Sequence, residues 1–185
     1  MRRATVARLA GGAALLLAAC ATDPVHLTEG QRARREAANK GLSDWQNVSS
    51  TMMVEKYGPP DRMETMRLVW ENRGPWKRIM VWDELGFLEH DRESQNLEEI
   101  ISYPVPGDKR AALASFDRGL HVSADGTELS ARSTSEERNF LALNLADEIV
   151  KGRLTAKEAG DSYAKTLELS ESGKSSPLME RLTFR

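Results

Sequence analysis

Three histidines, one cysteine and several neighbouring carboxylates are the side chains of widest chemical reach in this 185-residue chain. The histidines stand at His26, His90 and His121, with no spacing that would put two of them on one metal ion. The densest polar run is Glu89-His90-Asp91-Arg92-Glu93. An imidazole among carboxylates can bind zinc or act as a general base. The same composition also makes an ordinary solvated loop, and that reading is preferred. Asp83-Glu84 and Glu98-Glu99 are carboxylate pairs. Adjacent residues on a strand face opposite sides, so neither pair can share one substrate bond. Acids from separate strands remain free to converge in the fold. No Gly-x-Ser-x-Gly, His-Glu-x-x-His or glycine-rich phosphate loop is present. The expectation is therefore a chain with no catalytic residue, no metal and no cofactor.

Cys20 is the only thiol, so no internal disulfide can form. Its surroundings give it another use. Arg2, Arg3 and Arg8 make a basic start without an acid, and Leu9 to Ala19 are wholly apolar or small. This is the layout of a secretory signal. Its eleven apolar residues make about 16 Å of helix, against roughly 30 Å of hydrocarbon, too little for a permanent span.

The segment ends Leu17-Ala18-Ala19-Cys20, which resembles the bacterial lipobox. The resemblance implies diacylglycerol on the Cys20 thiol, cleavage between Ala19 and Cys20, and a membrane-anchored lipoprotein carrying fatty acids such as palmitate. Two or more acyl chains anchor a protein stably where one does not. Ala21 follows, where an Asp tends to retain lipoproteins of enteric bacteria in the inner membrane, so the expectation is the outer membrane, facing the periplasm. Loss of residues 1–19 removes three arginines and no acid, moving the net charge from −2 to −5. A mildly acidic chain is a poor partner for nucleic acid.

The elements that position these residues follow from periodicity. Residues 20–40 read as the lipidated cysteine and a tether, with a charged run around Arg32, Arg34 and Arg35 and no apolar face; it can reach about 70 Å when extended. Ser43 to Tyr57 predicts a helix, with Ser43 and Gln46 at capping-box spacing and Gly58-Pro59-Pro60 as the stop. Arg67 to Glu71 and Lys77 to Asp83 predict strands around the turn Asn72-Arg73-Gly74-Pro75. The second is apolar on both faces, so cover is expected on each side. Glu84 to Asn96 reads as loop and Leu97 to Tyr103 as a third strand, stopped by Pro104 and Pro106. Gly119 to Ala124 and Glu128 to Ser133 predict a hairpin about Asp125-Gly126-Thr127. Thr134 and Glu137 have capping-box spacing before a helix over Asn139 to Val150, and Thr155 and Glu158 open another. Residues 171–185 are expected to be loosely ordered.

Strands followed by helices imply an α+β fold. The expectation is an antiparallel sheet of about four to six strands, one N-terminal helix, and two C-terminal helices mainly on one face. The domain spans residues 41–170, after a signal over 1–19 and the tether over 20–40. Trp45, Trp70 and Trp82 read as core, and Trp76, beside the Gly74-Pro75 turn, as an exposed contact for a partner protein.

Ser43 to Asp83, with Tyr57-Gly58-Pro59-Pro60-Asp61 at its centre, resembles the small outer-membrane lipoproteins of the BamE/SmpA type. Those have a helix, a Gly-x-Pro turn and an antiparallel sheet, and assist assembly of outer-membrane β-barrels. About a hundred further residues depart from that pattern, so no functional residue is carried over. The functional expectation is a membrane-anchored envelope lipoprotein acting as a non-enzymatic binding or structural accessory module, bound to lipid and to an envelope protein. The alternatives are an envelope hydrolase acting on peptidoglycan and a small-ligand-binding lipoprotein.

Overall fold

The computed structural model describes residues 48–83 and 95–184. The signal, Cys20, the tether, the Ser43 cap, Trp45, and most of the polar loop with His90 lie outside the described residues.

Helix α1 (Val48–Tyr57) leads into three strands, β1 (Arg62–Glu64), β2 (Arg67–Arg73) and β3 (Trp76–Trp82). Strand β4 (Leu97–Ser102) follows, then a 3-10 turn (Gly107–Lys109) running into α2 (Arg110–Phe116). Strands β5 (Leu120–Val122) and β6 (Glu128–Ser133) make a hairpin, and α3 (Glu136–Val150), α4 (Ala156–Glu171) and α5 (Pro177–Glu180) complete the chain. The strands form one sheet in the order β1-β2-β3-β4-β6-β5. Every pairing is antiparallel. The fold is α+β.

Local chemistry sets the boundaries. Gly58 closes α1 with φ +77°, its N–H donating to the Val54 carbonyl at 2.9 Å; glycine takes this left-handed conformation without a Cβ clash. The Gly58 carbonyl in turn accepts from Trp70 Nε1 at 2.8 Å, which fixes the helix end to β2. The cap of α3 is Ser135, one residue after the expected Thr134; its side chain accepts from the Arg138 N–H, and the helix begins at Glu136, three residues before the expected start. The cap of α4 is the Thr155 and Glu158 capping box that the spacing predicts.

One face of the sheet carries the core. Leu68, Trp70, Ile79, Val81, Leu97, Ile101 and Leu129 from the strands meet Met53 of α1, Leu113 of α2, Phe140, Leu141 and Leu145 of α3, and Ala159 of α4. Burying such a side chain fully contributes about 1.5–3 kcal/mol. On the opposite face the buried hydrophobic cluster among the described residues is Val69, Met80 and Ile100, with Trp82 half-buried beside them. No described helix residue joins that cluster. Long polar side chains lie over it: the Arg67 and Arg132 guanidiniums stand 5.0 and 5.2 Å from the Trp82 ring centre, and Lys77 and Arg78 pair with Glu128.

Three features depart from the sequence expectation. The short helix α2 falls in a stretch without a long apolar period and buries only Leu113. Strand β1, three residues long, lies largely exposed at the sheet edge. The C-terminal segment, expected to be loose, is tied down. The buried Asn144 of α3 donates to the Leu178 and Arg181 carbonyls at 2.9 and 2.8 Å, and accepts from the Thr183 N–H and hydroxyl at 2.8 and 3.0 Å. Phe184 then meets the Tyr103 ring edge-on.

Candidate functional site

The described titratable groups that converge most tightly lie inside the fold, where α1, the sheet and the start of α3 meet. Glu136 is the first residue of α3 and is only 3% exposed. A carboxylate here faces the positive end of the helix dipole. It accepts from the Lys56 ammonium and the Tyr57 hydroxyl of α1, and from Trp76 Nε1 of β3 at 2.8 Å. One carboxylate thus joins three elements. Burial pushes the Tyr57 hydroxyl far above its ordinary pKa, and its bond to Glu136 and that residue's charge push the same way.

Glu99 is the second acid of this cluster. It sits in mid-β4 opposite Ile79 and Ala131, with its side chain turned into the helical core and wholly buried. Its Oε2 accepts from Asn139 Nδ2 at 3.0 Å, and the same amide group donates to the Leu97 carbonyl at 3.2 Å. Burial, then the charge of Glu136, hold the Glu99 carboxyl well above the usual carboxylate range. The neighbouring Glu98 points to the opposite face, accepting from Trp82 Nε1 and Ser130. The adjacent pair therefore divides as strand geometry requires, while two acids distant in sequence converge. Only their shared apolar setting hinted at this: Glu99 interrupts an apolar run between Leu97 and Ile101, and Glu136 precedes a long apolar helix face.

A second centre lies further along α3. Asp147, 2% exposed, accepts from the Tyr103 hydroxyl and the Lys151 ammonium at 2.8 Å each and from Arg153 at 3.2 Å. Burial first, then the bond to Asp147, pushes the Tyr103 hydroxyl upward.

Of the two centres, only the second borders a described surface cleft, through Arg153. A cleft of 410 Å³ lies between Lys109, Arg153, Thr155 and Glu158. Another, of 320 Å³, lies among Asp117, Arg132, Arg138 and Tyr163. Glu99 and Glu136 line neither. Among the described residues, no group of three His, Cys, Asp or Glu side chains is placed to hold a metal ion.

The sequence-derived candidates distribute as follows. Cys20, Ala19, His26 and His90 lie outside the described residues. His121 is exposed on β5. Ser162 and Lys165, which have Ser-x-x-Lys spacing, lie mid-way along α4 with Lys165 exposed. Trp76 is the clear correction: it is 2% exposed, not an open contact for a partner. Strand alternation would set Trp76 on the face of Met80. Trp76 is the first residue of β3, next to a hairpin end with left-handed backbone at Asn72 and Gly74. The indole turns into the main core, stacked on Phe140 at 4.9 Å, with its N–H on Glu136. No protein family, curated protein or solved structure matches this chain.

Proposed function

We propose that this chain is an exported lipoprotein, anchored through lipid on Cys20 to the outer membrane and facing the periplasm, whose domain is a non-enzymatic binding or structural accessory module for an envelope protein. The observation that carries the reading is the sequence of basic start, apolar segment and Leu17-Ala18-Ala19-Cys20. Lipidation of this kind needs a nucleophile just after the cleavage point, and the chain's single thiol stands there. The first described residue, Val48, follows well downstream, leaving chain enough for the domain to stand off a membrane. The acids that a peptidoglycan hydrolase would require do converge, at Glu99 and Glu136, but at 0% and 3% exposure they bind neighbouring elements instead of facing a cleft. This supports the accessory reading over the hydrolytic one. Among the described residues no helix is long and apolar enough to cross a membrane.

The test is crosslinking in the native host with mass spectrometry, comparing wild type with Cys20→Ala, alongside labelling with an alkyne-bearing fatty acid. The expected result is label and outer-membrane fractionation for wild type only, with one envelope protein captured by wild type and lost in the variant. Equal labelling of both chains, or of neither, would sink the anchor. A labelled chain that captures no specific protein would sink the accessory role.

A further inference from the structure

Glu99 and Asn139 make one half of a two-sided hydrogen-bond pattern. Asn139 Nδ2 donates to Glu99 Oε2 at 3.0 Å. The two atoms left over, Glu99 Oε1 and Asn139 Oδ1, are both buried without a partner. Both are acceptors if Glu99 is ionised, and neither can satisfy the other. A carboxylic acid and a primary amide, by contrast, have complementary edges. The amide N–H meets the acid carbonyl, and the acid O–H meets the amide carbonyl. One proton on Glu99 Oε1 supplies the donor that both orphaned atoms lack.

We propose that Glu99 is a neutral carboxylic acid in the folded protein, forming with Asn139 a two-bond clasp between β4 and α3 that alkaline pH opens. The groups around it favour the neutral form. From α3, the Glu136 and Glu137 carboxylates oppose a second negative charge. From α1, Lys56 favours one, but its ammonium is bonded to Glu136, and the Tyr57 hydroxyl likewise donates to Glu136. From β3 and β6 the cross-strand neighbours are Ile79 and Ala131, which bring no charge. Burial adds to the opposition.

The direction with pH follows. A group that holds its proton more tightly folded than unfolded contributes fully below its ordinary value, here 4.5. That contribution is lost as pH rises through the raised folded value. On opening, the Glu99 O–H bond breaks, the proton leaves to water, and the charge stays beside Glu136. The clasp is lost, and a like charge now faces the carboxylate that holds Lys56 and Tyr57. The end of α1 and the first turn of α3 are the parts that loosen. The device does not depend on where the chain resides.

The experiment is a pH series of thermal midpoints on the full-length protein in detergent, wild type against Glu99→Gln, with infrared spectra of both. Gln carries a permanent N–H for Asn139 Oδ1 and loses no shape. The expected result is a wild-type midpoint that falls from acid to alkaline pH, a flattened slope in Glu99→Gln, and a midpoint several degrees above wild type at the alkaline end. The infrared carbonyl band of a neutral acid should be present in folded wild type at neutral pH and absent from the variant. A Glu99→Gln protein less stable than wild type at every pH, or one with an unchanged slope, would overturn the proposal. Should the variant not fold, wild type alone decides: a neutral-acid band that titrates away at alkaline pH supports the clasp, and its absence at neutral pH overturns it.

Discussion

Asn139 and Asn144 stand five residues apart on the same helix, both buried to within 1% exposure, and they are used in opposite ways. Asn144 spends its whole amide: two donated bonds, two accepted, all to the C-terminal segment between Leu178 and Thr183. Asn139 spends its donors and leaves its carbonyl without a partner beside an acid in the same condition. A fully satisfied buried amide is a fixed joint. A half-satisfied one is costly unless something mobile completes it, and beside a carboxyl the mobile thing is a proton. The two amides therefore differ in their partners: Asn144 bonds only to backbone and a threonine hydroxyl, whereas Asn139 is bonded to a carboxyl that can gain or lose a proton.

Truncating the two amides is the most direct way to break this contrast. Asn144→Ala is expected to cost about 4 kcal/mol, four bonds at about 1 kcal/mol each, and to leave the Leu178 and Arg181 carbonyls short of a donor. Urea unfolding measures the loss, and limited proteolysis should cut the segment from Pro177 onward in the folded variant. Asn139→Ala is expected to cost about 3 kcal/mol while Glu99 holds its proton, two donated bonds and one accepted, and about 2 kcal/mol once the clasp opens. A loss at Asn139 that matched Asn144→Ala and did not change with pH would show that no proton completes the Asn139 amide, and the contrast would fail.

Glu136 tests whether the Asn139 end of α3 is held by charge. Glu136→Gln keeps an acceptor for Tyr57 and Trp76 but turns an amide toward Lys56. The side chain of Lys56 is half exposed, so solvent screens much of the pair. A loss of about 2 kcal/mol is expected in urea unfolding, below the about 3–5 kcal/mol of breaking a fully buried pair. Amide hydrogen exchange should rise across the last turn of α1 before it rises in the sheet. Uniform exchange would show that Glu136 stabilises the whole domain without gating α1.

Trp76→Phe removes the indole's bond with little of its stack. A six-membered ring remains against Phe140, while the N–H on Glu136 and part of the buried indole go. About 1–2 kcal/mol is expected, read from the same unfolding curves. A loss near that of large-to-small core changes, about 3 kcal/mol or more, would mean that the stack had been lost too.

How much of this was legible in the sequence depends on the range of the cause. The hairpin about Asp125-Gly126-Thr127, the Thr155-Glu158 box and the Gly58 stop are set by residues a few positions apart, and each stands where its spacing puts it. The α+β class followed from the order of those local signals. Trp76 was misplaced because its exposure was argued from its place beside the Gly74-Pro75 turn, whereas the groups that hold its indole inward, Phe140 and Glu136, lie sixty or more positions downstream. The acids were not legible as a site beyond their apolar flanks. Glu99, Glu136 and Lys56 lie up to eighty positions apart, and an apolar flank does not tell which acids will meet. Asn144, read along the chain, is only a polar break in the apolar face of α3. Its four partners lie 34 to 39 positions downstream, in the segment expected to be loose.

The smallest effect is the sharpest on the closed joint. Thr183 gives Asn144 Oδ1 two donors, its backbone N–H at 2.8 Å and its hydroxyl at 3.0 Å. Thr183→Val keeps the branched shape and the backbone donor and removes only the hydroxyl. The acceptor stays paired, Thr183 itself is exposed, and no buried group is orphaned. The cost should be below about 1 kcal/mol, with the C-terminal segment still resistant to protease. A loss matching that of Asn144→Ala would mean that the amide's bonds act as one cooperative unit, failing together when any one is removed. A negligible loss, set beside a large one for Asn144→Ala, places the strength of the joint in the backbone contacts. Under that result the segment could drift widely in side-chain sequence and still dock, provided that Asn144 remained.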